Sequence, residues 1–142
     1  MKTSSEGKAF IKRYEKFRSK SYKCVPTEKL YTIGYGHYGV GANMVITKPR
    51  GEEFFEKDIK RAENQVNKYQ TRYNFNQNEF DALVSFVFNG CSLKELTDDG
   101  TRTKSEISKH MILYTKSSGT FLPGLLTRRL AEQKIFNAPV RC

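Results

Sequence analysis

An extended run at residues 31–38, reading Tyr-Thr-Ile-Gly-Tyr-Gly-His-Tyr, constrains the fold of this chain most strongly. Side chains alternate between the two faces of a strand, so one strand here would place Thr32, Gly34 and Gly36 together. That face carries one hydroxyl and two glycines, which lets a ligand lie close to the backbone. Glu15 lies upstream in a helical pattern and supplies a carboxylate. A carboxylate on a helix that faces the glycine side of a strand predicts a cleft that could hold a polymer.

The rest of the chain predicts a mostly helical protein with a small antiparallel sheet inserted after the first helix. Apolar residues recur at helical spacing in most segments, and capping patterns precede several of them. The first expected helix begins after an N-cap at Ser5. Two further helices are expected at 47–69 and 80–88. The next is expected from Thr103 through an apolar stripe that ends at Tyr114, and the last at 123–136. The expected sheet spans 21–45, with loops at 94–102 and 117–120 and a frayed tail at 137–142. The fold class is therefore α+β, with a sheet lobe and a helical lobe joined by a long helix, in a single domain covering residues 1–142.

The composition narrows the range of partners. The 142 residues are 37% hydrophobic, which is enough for a core, and they carry a net charge of +10. Such a charge favours an anionic partner, whether nucleic acid, anionic lipid or a cell wall. The basic residues are spread along the sequence rather than gathered in an arm, so nucleic acid is not expected as the partner. The sequence has no apolar window approaching about 18 residues, so stable membrane insertion is not expected.

Metal and cofactor chemistry is not expected either. The three cysteines, Cys24, Cys91 and Cys142, lack metal-ligand spacing, and the two histidines, His37 and His110, lie far apart in sequence. The odd cysteine count predicts at least one free thiol and synthesis in a reducing compartment. The N-terminal residues are followed by no apolar segment, so we expect a protein made in the cytoplasm without a signal peptide. We also expect a monomer.

The order of Glu15, Cys24 and Thr32 resembles that in the phage-type lysozymes, the endolysins of glycoside hydrolase family 24. The signature of that family is Glu, eight residues, Asp or Cys, five residues, and Thr. The gap from Glu15 to Cys24 matches, whereas seven residues rather than five separate Cys24 from Thr32. A two-residue insertion in a hairpin turn preserves strand parity, so Thr32 can keep its face. The segments 80–90 and 122–132 also resemble this family, so the resemblance covers most of the chain in the right order.

The resemblance implies a lysozyme-like fold and a cofactor-free enzyme acting on bacterial peptidoglycan. Such an enzyme cuts the β-1,4 bond between N-acetylmuramic acid and N-acetylglucosamine. Glu15 would be the general acid, while Cys24 and Thr32 would orient the attacking water or stabilise the developing positive charge. If the longer turn is rerouted, Thr27 or Glu28 takes the place of Cys24. Family precedent favours inversion at the anomeric carbon, and a Cys in place of Asp leaves the stereochemistry open.

The resemblance also implies which residues bind substrate and how the acid is held. The substrate-binding residues are Gly34, Gly36, Asn89 and Arg128. One arginine of the pair Arg128 and Arg129 is expected to reach Glu15 across the cleft. His37 is expected to be a buried histidine paired with a carboxylate rather than a catalytic residue. The enzyme would reach the cell wall only after release or delivery by another factor.

Two other functions fit parts of the pattern. A catalytically inactive wall-binding or interaction module would keep the fold, and the longer second gap of the signature favours it. Such a module binds sugar without turnover and is indifferent to the loss of the Glu15 acid. A basic nucleic-acid-binding protein would instead show a steeply salt-dependent affinity unrelated to Glu15.

Overall fold

The computed structural model describes residues 1–117 and 119–140. Seven helices lie in this part of the chain: α1 Ser5–Glu15, α2 Lys48–Asn67, α3 Gln70–Tyr73, α4 Gln77–Phe88, α5 Leu93–Leu96, α6 Lys104–Met111 and α7 Pro123–Asn137. Five strands accompany them: β1 Arg18–Tyr22, β2 Tyr31–Gly34, β3 His37–Val40, β4 Lys116–Ser117 and β5 Thr120–Phe121. A small sheet therefore follows the first helix, and most of the remaining elements are helices, as predicted.

The first three strands form an antiparallel sheet in the order β1-β2-β3. Tyr22 of β1 pairs with Thr32 of β2. The sequence predicts one strand at 31–38, and this prediction is wrong, because β2 ends at Gly34 and the next two residues turn into β3. The chain turns there because Gly34 and Gly36 adopt positive φ angles of 65° and 72°, which a regular strand excludes. These two glycines therefore do not share one strand face.

Polar residues cap most of the helices, with one shift from the predicted positions. The caps whose side chains accept a backbone hydrogen bond are Ser4, Thr47, Asn76, Ser92 and Thr103. The first cap is Ser4 rather than Ser5, because Ser4 has extended backbone and its hydroxyl accepts from the Gly7 N–H. The predicted capping boxes at Asn76 and Thr103 are both present.

Two segments that the sequence predicts as loops contain short elements. Ser92 caps α5, which enters the segment at 94–102, while the expected turn at 98–100 is present with positive φ at all three residues. The segment at 117–120 contributes to β4 and β5, and Ser118 lies outside the described residues. Elements of two or four residues are too short to show a hydrophobic period, so the pattern does not predict them.

The last two long helices end at positions that differ slightly from the expected ones. α6 ends at Met111, so Tyr114 packs edge-on against Phe86 from outside the helix. α7 includes Asn137, the first residue of the segment expected to fray. The end of that segment, residues 141–142, lies outside the described part of the chain.

Among the described residues, two hydrophobic clusters hold the lobes together, and α2 belongs to both. The larger cluster lies among the helices and includes Phe55 and Val66 of α2. The smaller cluster lies beneath the sheet and consists of Ile33, Ile46 and Phe54. Because Phe54 and Phe55 are neighbours, one long helix is anchored in both lobes, as predicted for the α+β class. Within the described residues, no helix is long and apolar enough to cross a membrane.

Gly51, near the start of α2, packs against the Phe17 ring with no room for a side chain. A Cβ at this position would overlap the ring, which is itself held against Tyr35 at 5.5 Å between ring centroids. We expect Gly51→Ala to destabilise the protein, because overpacking costs about 1–3 kcal/mol whereas alanine gains only about 1 kcal/mol in helix propensity. Urea unfolding measures the difference. Gly41→Ala is the control, since its Cβ meets open space, and equal midpoints for the two variants would contradict the tight contact.

Candidate active site

Glu15 is the last residue of α1, and its carboxylate lines a groove between the two lobes. The helix ends there because Lys16 adopts a φ of 56°. The Glu15 side chain is 14% exposed, and its Oε2 accepts a hydrogen bond from Nη1 of Arg128. Of the two arginines that the sequence offers, Arg128 is therefore the one that holds the carboxylate.

The groove consists of adjoining cavities that share lining residues. The cavity at Glu15 has a volume of about 610 Å³, and Asn89 and Arg128 also line it. A second cavity contains Cys24 and shares Asn89 with the first. A third cavity shares residues 90–92 with the second cavity and is also lined by Gly36. A groove that runs through three adjoining cavities suits an elongated polymer better than a compact ligand.

Gly36 forms the wall of the groove next to the Glu15 carboxylate. A Cβ at Gly36 would overlap Oε1 of Glu15, and the φ of 72° also disfavours any side chain there. Gly34 is placed differently from the prediction, because it is buried in the sheet lobe. A Cβ at Gly34 would lie 3.5 Å from both Gly51 Cα and Ile46 Cδ1. The structure thus brings Gly36 to the groove and places Gly34 in the packed interior.

A buried network of charged and polar groups fixes the position of the Arg128 side chain. Its Nε donates to Oε2 of Glu132 at 3.3 Å, and its Nη2 donates to the Ser85 carbonyl at 3.3 Å and hydroxyl at 3.2 Å. Glu132 and Arg129 are fully buried; Arg129 Nε lies 2.9 Å from Glu132 Oε1, and Nη2 of Arg129 donates to Oε2 of Glu132 at 3.4 Å. Burial raises the pKa of Glu132, and the charges of Arg129 and Arg128 oppose that shift. The network keeps the guanidinium that contacts Glu15 in one place.

Cys24 and Thr32 lie together on the sheet side of the groove. Cys24 Sγ and Thr32 Oγ1 are 3.9 Å apart, although the insertion in the turn lengthens the chain between them. The alternative carboxylate, Glu28, accepts hydrogen bonds from the backbone N–H groups of Cys24 at 2.9 Å and Val25 at 3.2 Å. Glu28 therefore caps the inserted turn and helps to place Cys24, while Thr27 is exposed in the same turn.

Cys91 lies on the helical side of the groove in a different environment from Cys24. Its Sγ accepts a hydrogen bond from Nη1 of Arg129 at 2.8 Å, and burial raises its pKa. A raised pKa keeps the thiolate fraction small near neutral pH and lets that fraction increase as the pH rises. We expect iodoacetamide at neutral pH to label the exposed Cys24 well before Cys91, and labelling of Cys91 to increase with pH. Peptide mass spectrometry measures each site, and equal labelling at neutral pH would contradict this assignment.

His37 is paired with a carboxylate, as predicted. Its Nδ1 lies 2.8 Å from Oδ2 of Asp58, and its ring stacks on Phe54 at 4.3 Å between centroids. The His37 side chain is 21% exposed, so it is largely covered. These contacts give the histidine a structural role that ties β3 to α2.

The sequence model of the phage lysozyme family matches residues 12–132, a span that contains every groove residue described above. The chain belongs to the phage lysozyme family. Within that family, it is 39% identical over 147 residues to an endolysin of Bacillus phage PZA, covering 97% of this chain and 56% of the relative. It is also 39% identical over 141 residues to an endolysin of Lactococcus phage c2, covering 99% of this chain and 62% of that relative. The chain therefore spans less than two thirds of the length of these two phage lysozyme relatives.

Solved structures show the same fold. The muramidase domain of SpmX from Asticaccaulis excentricus superposes with a TM-score of 0.76 and 27% sequence identity, covering 97% of this chain and 99% of that chain. This similarity confirms the predicted lysozyme-like α+β class. The family resemblance that the sequence suggests is confirmed as well.

The structure brings most of the predicted site residues of this phage lysozyme family member to one groove. The residues that line the groove or contact its lining are Glu15, Cys24, Thr32, Gly36, Asn89 and Arg128. The sequence predicts no role for Glu132, Ser85 or Tyr22. The i,i+4 spacing of Arg128 and Glu132 is a signal for an ion pair, and a serine within the apolar α4 is a signal for a buried hydrogen bond. Tyr22 has no such signal, because only the fold brings it into the groove.

Proposed function

We propose that the chain is a muramidase that hydrolyses the β-1,4 bond between N-acetylmuramic acid and N-acetylglucosamine in bacterial peptidoglycan. The observation that carries this proposal is the Glu15 carboxylate, which lies in an open groove and is held by the buried Arg128. Glycoside hydrolysis needs a proton donor for the leaving oxygen and a water on the other side of the sugar ring. Membership of the phage lysozyme family and the 39% identity to phage endolysins support the same activity.

Glu15 is the general acid in this proposal. Its Oε2 accepts a hydrogen bond from Arg128, so the proton that is transferred belongs on Oε1. Oε1 lies against Gly36, where the absent side chain leaves room for the carboxylate itself, and the adjoining cavity would hold the glycosidic oxygen. The contact with Arg128 holds the carboxyl group in one orientation, which keeps the donor aimed at the scissile bond.

Cys24 and Thr32 orient the attacking water. Their Sγ and Oγ1 atoms are 3.9 Å apart, so one water can contact both. The water oxygen bonds to the anomeric carbon while the glycosidic oxygen leaves with the proton from Glu15. The attacking water then loses a proton to solvent, and Glu15 takes up a proton from solvent, which restores the acid. Because the second position of the signature holds a thiol rather than a carboxylate, we favour direct attack by water with inversion over a covalent sugar intermediate.

The walls of the groove bind the polymer. Nη2 of Arg129 donates to Oδ1 of Asn89 at 2.6 Å, so the Asn89 amide nitrogen is left to donate to a carbonyl or hydroxyl oxygen of the sugar. The net charge of +10 attracts an anionic wall and raises the encounter rate, an effect that salt weakens. The reaction uses only a proton donor and water, so we propose that it needs no cofactor. We further propose that residues 1–142 form one domain that acts as a monomer. It acts on the wall after release or delivery by another factor.

The rival function is a wall-binding module without turnover. The longer gap between Cys24 and Thr32 favours it, whereas the approach of Cys24 to Thr32 favours the enzyme. Dye-labelled, purified sacculi distinguish the two. The wild-type protein is expected to release soluble dye in proportion to time and enzyme. Co-sedimentation with the sacculi in the absence of dye release would overturn the proposed activity.

A further inference from the structure

The cavity that continues the groove past Gly36 has a cationic rim that the mechanism above leaves unused. The cavity has a volume of about 580 Å³ and is lined in part by α2. Its basic lining residues are all exposed, and they are Arg61, Lys68 and Lys94. Asp58 is the one acidic residue among its described lining residues. Because Gly36 also lies against the Glu15 carboxylate, a polymer held at Glu15 can extend into this cavity.

Asp58 restrains the Arg61 side chain at the rim of this cavity. Oδ2 of Asp58 lies 2.8 Å from Nδ1 of His37, so the carboxylate is tied to β3. Its Oδ1 lies 3.2 Å from Nη2 of Arg61, three positions further along α2. This oxygen accepts no hydrogen bond from the described residues, so the ion pair uses none of the guanidinium N–H donors. The Arg61 side chain is 72% exposed, and it therefore keeps its donors for a ligand.

We propose that this cavity binds a carboxylate of the peptide that peptidoglycan carries on N-acetylmuramic acid, with Arg61 as the main contact. A guanidinium can donate two parallel hydrogen bonds to the two oxygens of a carboxylate, which an ammonium group cannot. Lys68 and Lys94 add positive charge at the same cavity and so favour an anionic group over a neutral one.

The peptide fits this cavity better than other anions of the wall do, because it is covalently attached to the glycan that lies in the groove. It therefore reaches the cavity together with the substrate. The proposal rests on the muramidase activity proposed above, and it makes Arg61 a residue that recognises peptide-bearing glycan. A phosphate of a second wall polymer is the competing occupant, and the substrates of the test separate the two.

Arg61→Gln tests the contact, because it removes the guanidinium and keeps a polar side chain. Binding is measured by titration calorimetry in a Glu15→Gln background, where no glycan is cut. The ligands are soluble glycan strands freed of wall phosphates with hydrofluoric acid, either with their peptides or after removal of the peptides by an amidase. We expect Arg61→Gln to raise the Kd about threefold to tenfold for strands with peptides, as for one exposed charge-assisted contact. No change is expected for strands without peptides.

Arg50→Gln is the matched control. Arg50 lies on the same helix and also pairs with an acidic residue three positions away, Glu53, but it does not line the groove cavities. We expect it to keep the Kd of the Glu15→Gln parent for both ligands. Equal losses in the two arginine variants would show a general attraction to positive charge and would overturn the proposal.

Three other results would also overturn it. Arg61→Gln could leave the Kd for strands with peptides unchanged, or it could weaken binding equally with and without peptides. A loss confined to strands that retain their wall phosphates would assign the cavity to a phosphate instead. Because binding is measured without turnover, the outcome is separate from the muramidase assignment. If wild-type protein released no sugar, that assignment would fail, while the comparison of the two ligands would still decide the role of Arg61.

Discussion

Glu15→Gln is expected to lower the rate of reducing-end release from peptidoglycan by about a thousandfold, within the range for loss of a general acid. Glutamine has nearly the same shape as glutamate, and its amide oxygen can accept the hydrogen bond from Arg128. The side chain therefore keeps its place in the groove but has no acidic proton for the leaving oxygen. Reducing ends are measured over time, and co-sedimentation with sacculi is measured in parallel, where no change in binding is expected.

Glu6→Gln is the matched control for this substitution. Glu6 is exposed in the first turn of the same helix, so the change in charge and shape is equal and the site is untouched. We expect the wild-type rate for Glu6→Gln. A Glu15→Gln variant that keeps the wild-type rate would show that another group protonates the leaving oxygen.

Glu132→Ala is expected to lower the free energy of unfolding by about 3–5 kcal/mol, because removing one partner of a buried ion pair leaves uncompensated charge. Glu132 lies between Arg128 and Arg129, whose side chains are 5% and 0% exposed, so water has little access to either guanidinium. The Ser85 hydroxyl also loses its acceptor. Urea unfolding of the variant and the wild type measures the difference.

A surface ion pair provides the control for Glu132→Ala. Glu56 pairs with Lys8, and their side chains are 55% and 33% exposed, so the lysine left by Glu56→Ala is readily solvated. We expect a change within about 0.5 kcal/mol for Glu56→Ala. Equal and small changes for both variants would contradict a structural role of the buried network behind Glu15.

Local patterns in the sequence predict the helices well, because the interactions that start a helix lie within a few residues. The capping boxes at Asn76 and Thr103 join residues three positions apart, and both occur as predicted. The strand at 31–38 shows where local patterns are insufficient. Alternation alone does not reveal that Gly34 and Gly36 turn the chain, since this outcome depends on pairing between β2 and β3.

The site depends on contacts between residues that are distant in sequence. Glu15 and Arg128 are 113 positions apart, and the sequence narrows the partner only to two neighbouring arginines. Neighbouring residues project about 100° apart around a helix, so the packing of α7 decides which arginine reaches the groove. The inserted turn is a similar case, because Glu28 holds it by hydrogen bonds that no family spacing specifies. The hydrophobic and capping patterns were enough to predict the fold class. The placement of Cys24 beside Thr32 required the three-dimensional structure.

Borohydride reduction of the fragments released from purified peptidoglycan, followed by mass spectrometry, tests the muramidase assignment most directly. Borohydride converts each new reducing-end sugar into its alditol and so identifies the bond that was cut. We predict that wild-type protein generates N-acetylmuramitol ends, with no increase in N-acetylglucosaminitol, and that Glu15→Gln generates neither. New N-acetylglucosaminitol ends would show that the other glycosidic bond is cleaved. An absence of new alditols from wild-type protein that sediments with the sacculi would contradict hydrolysis and leave a wall-binding module.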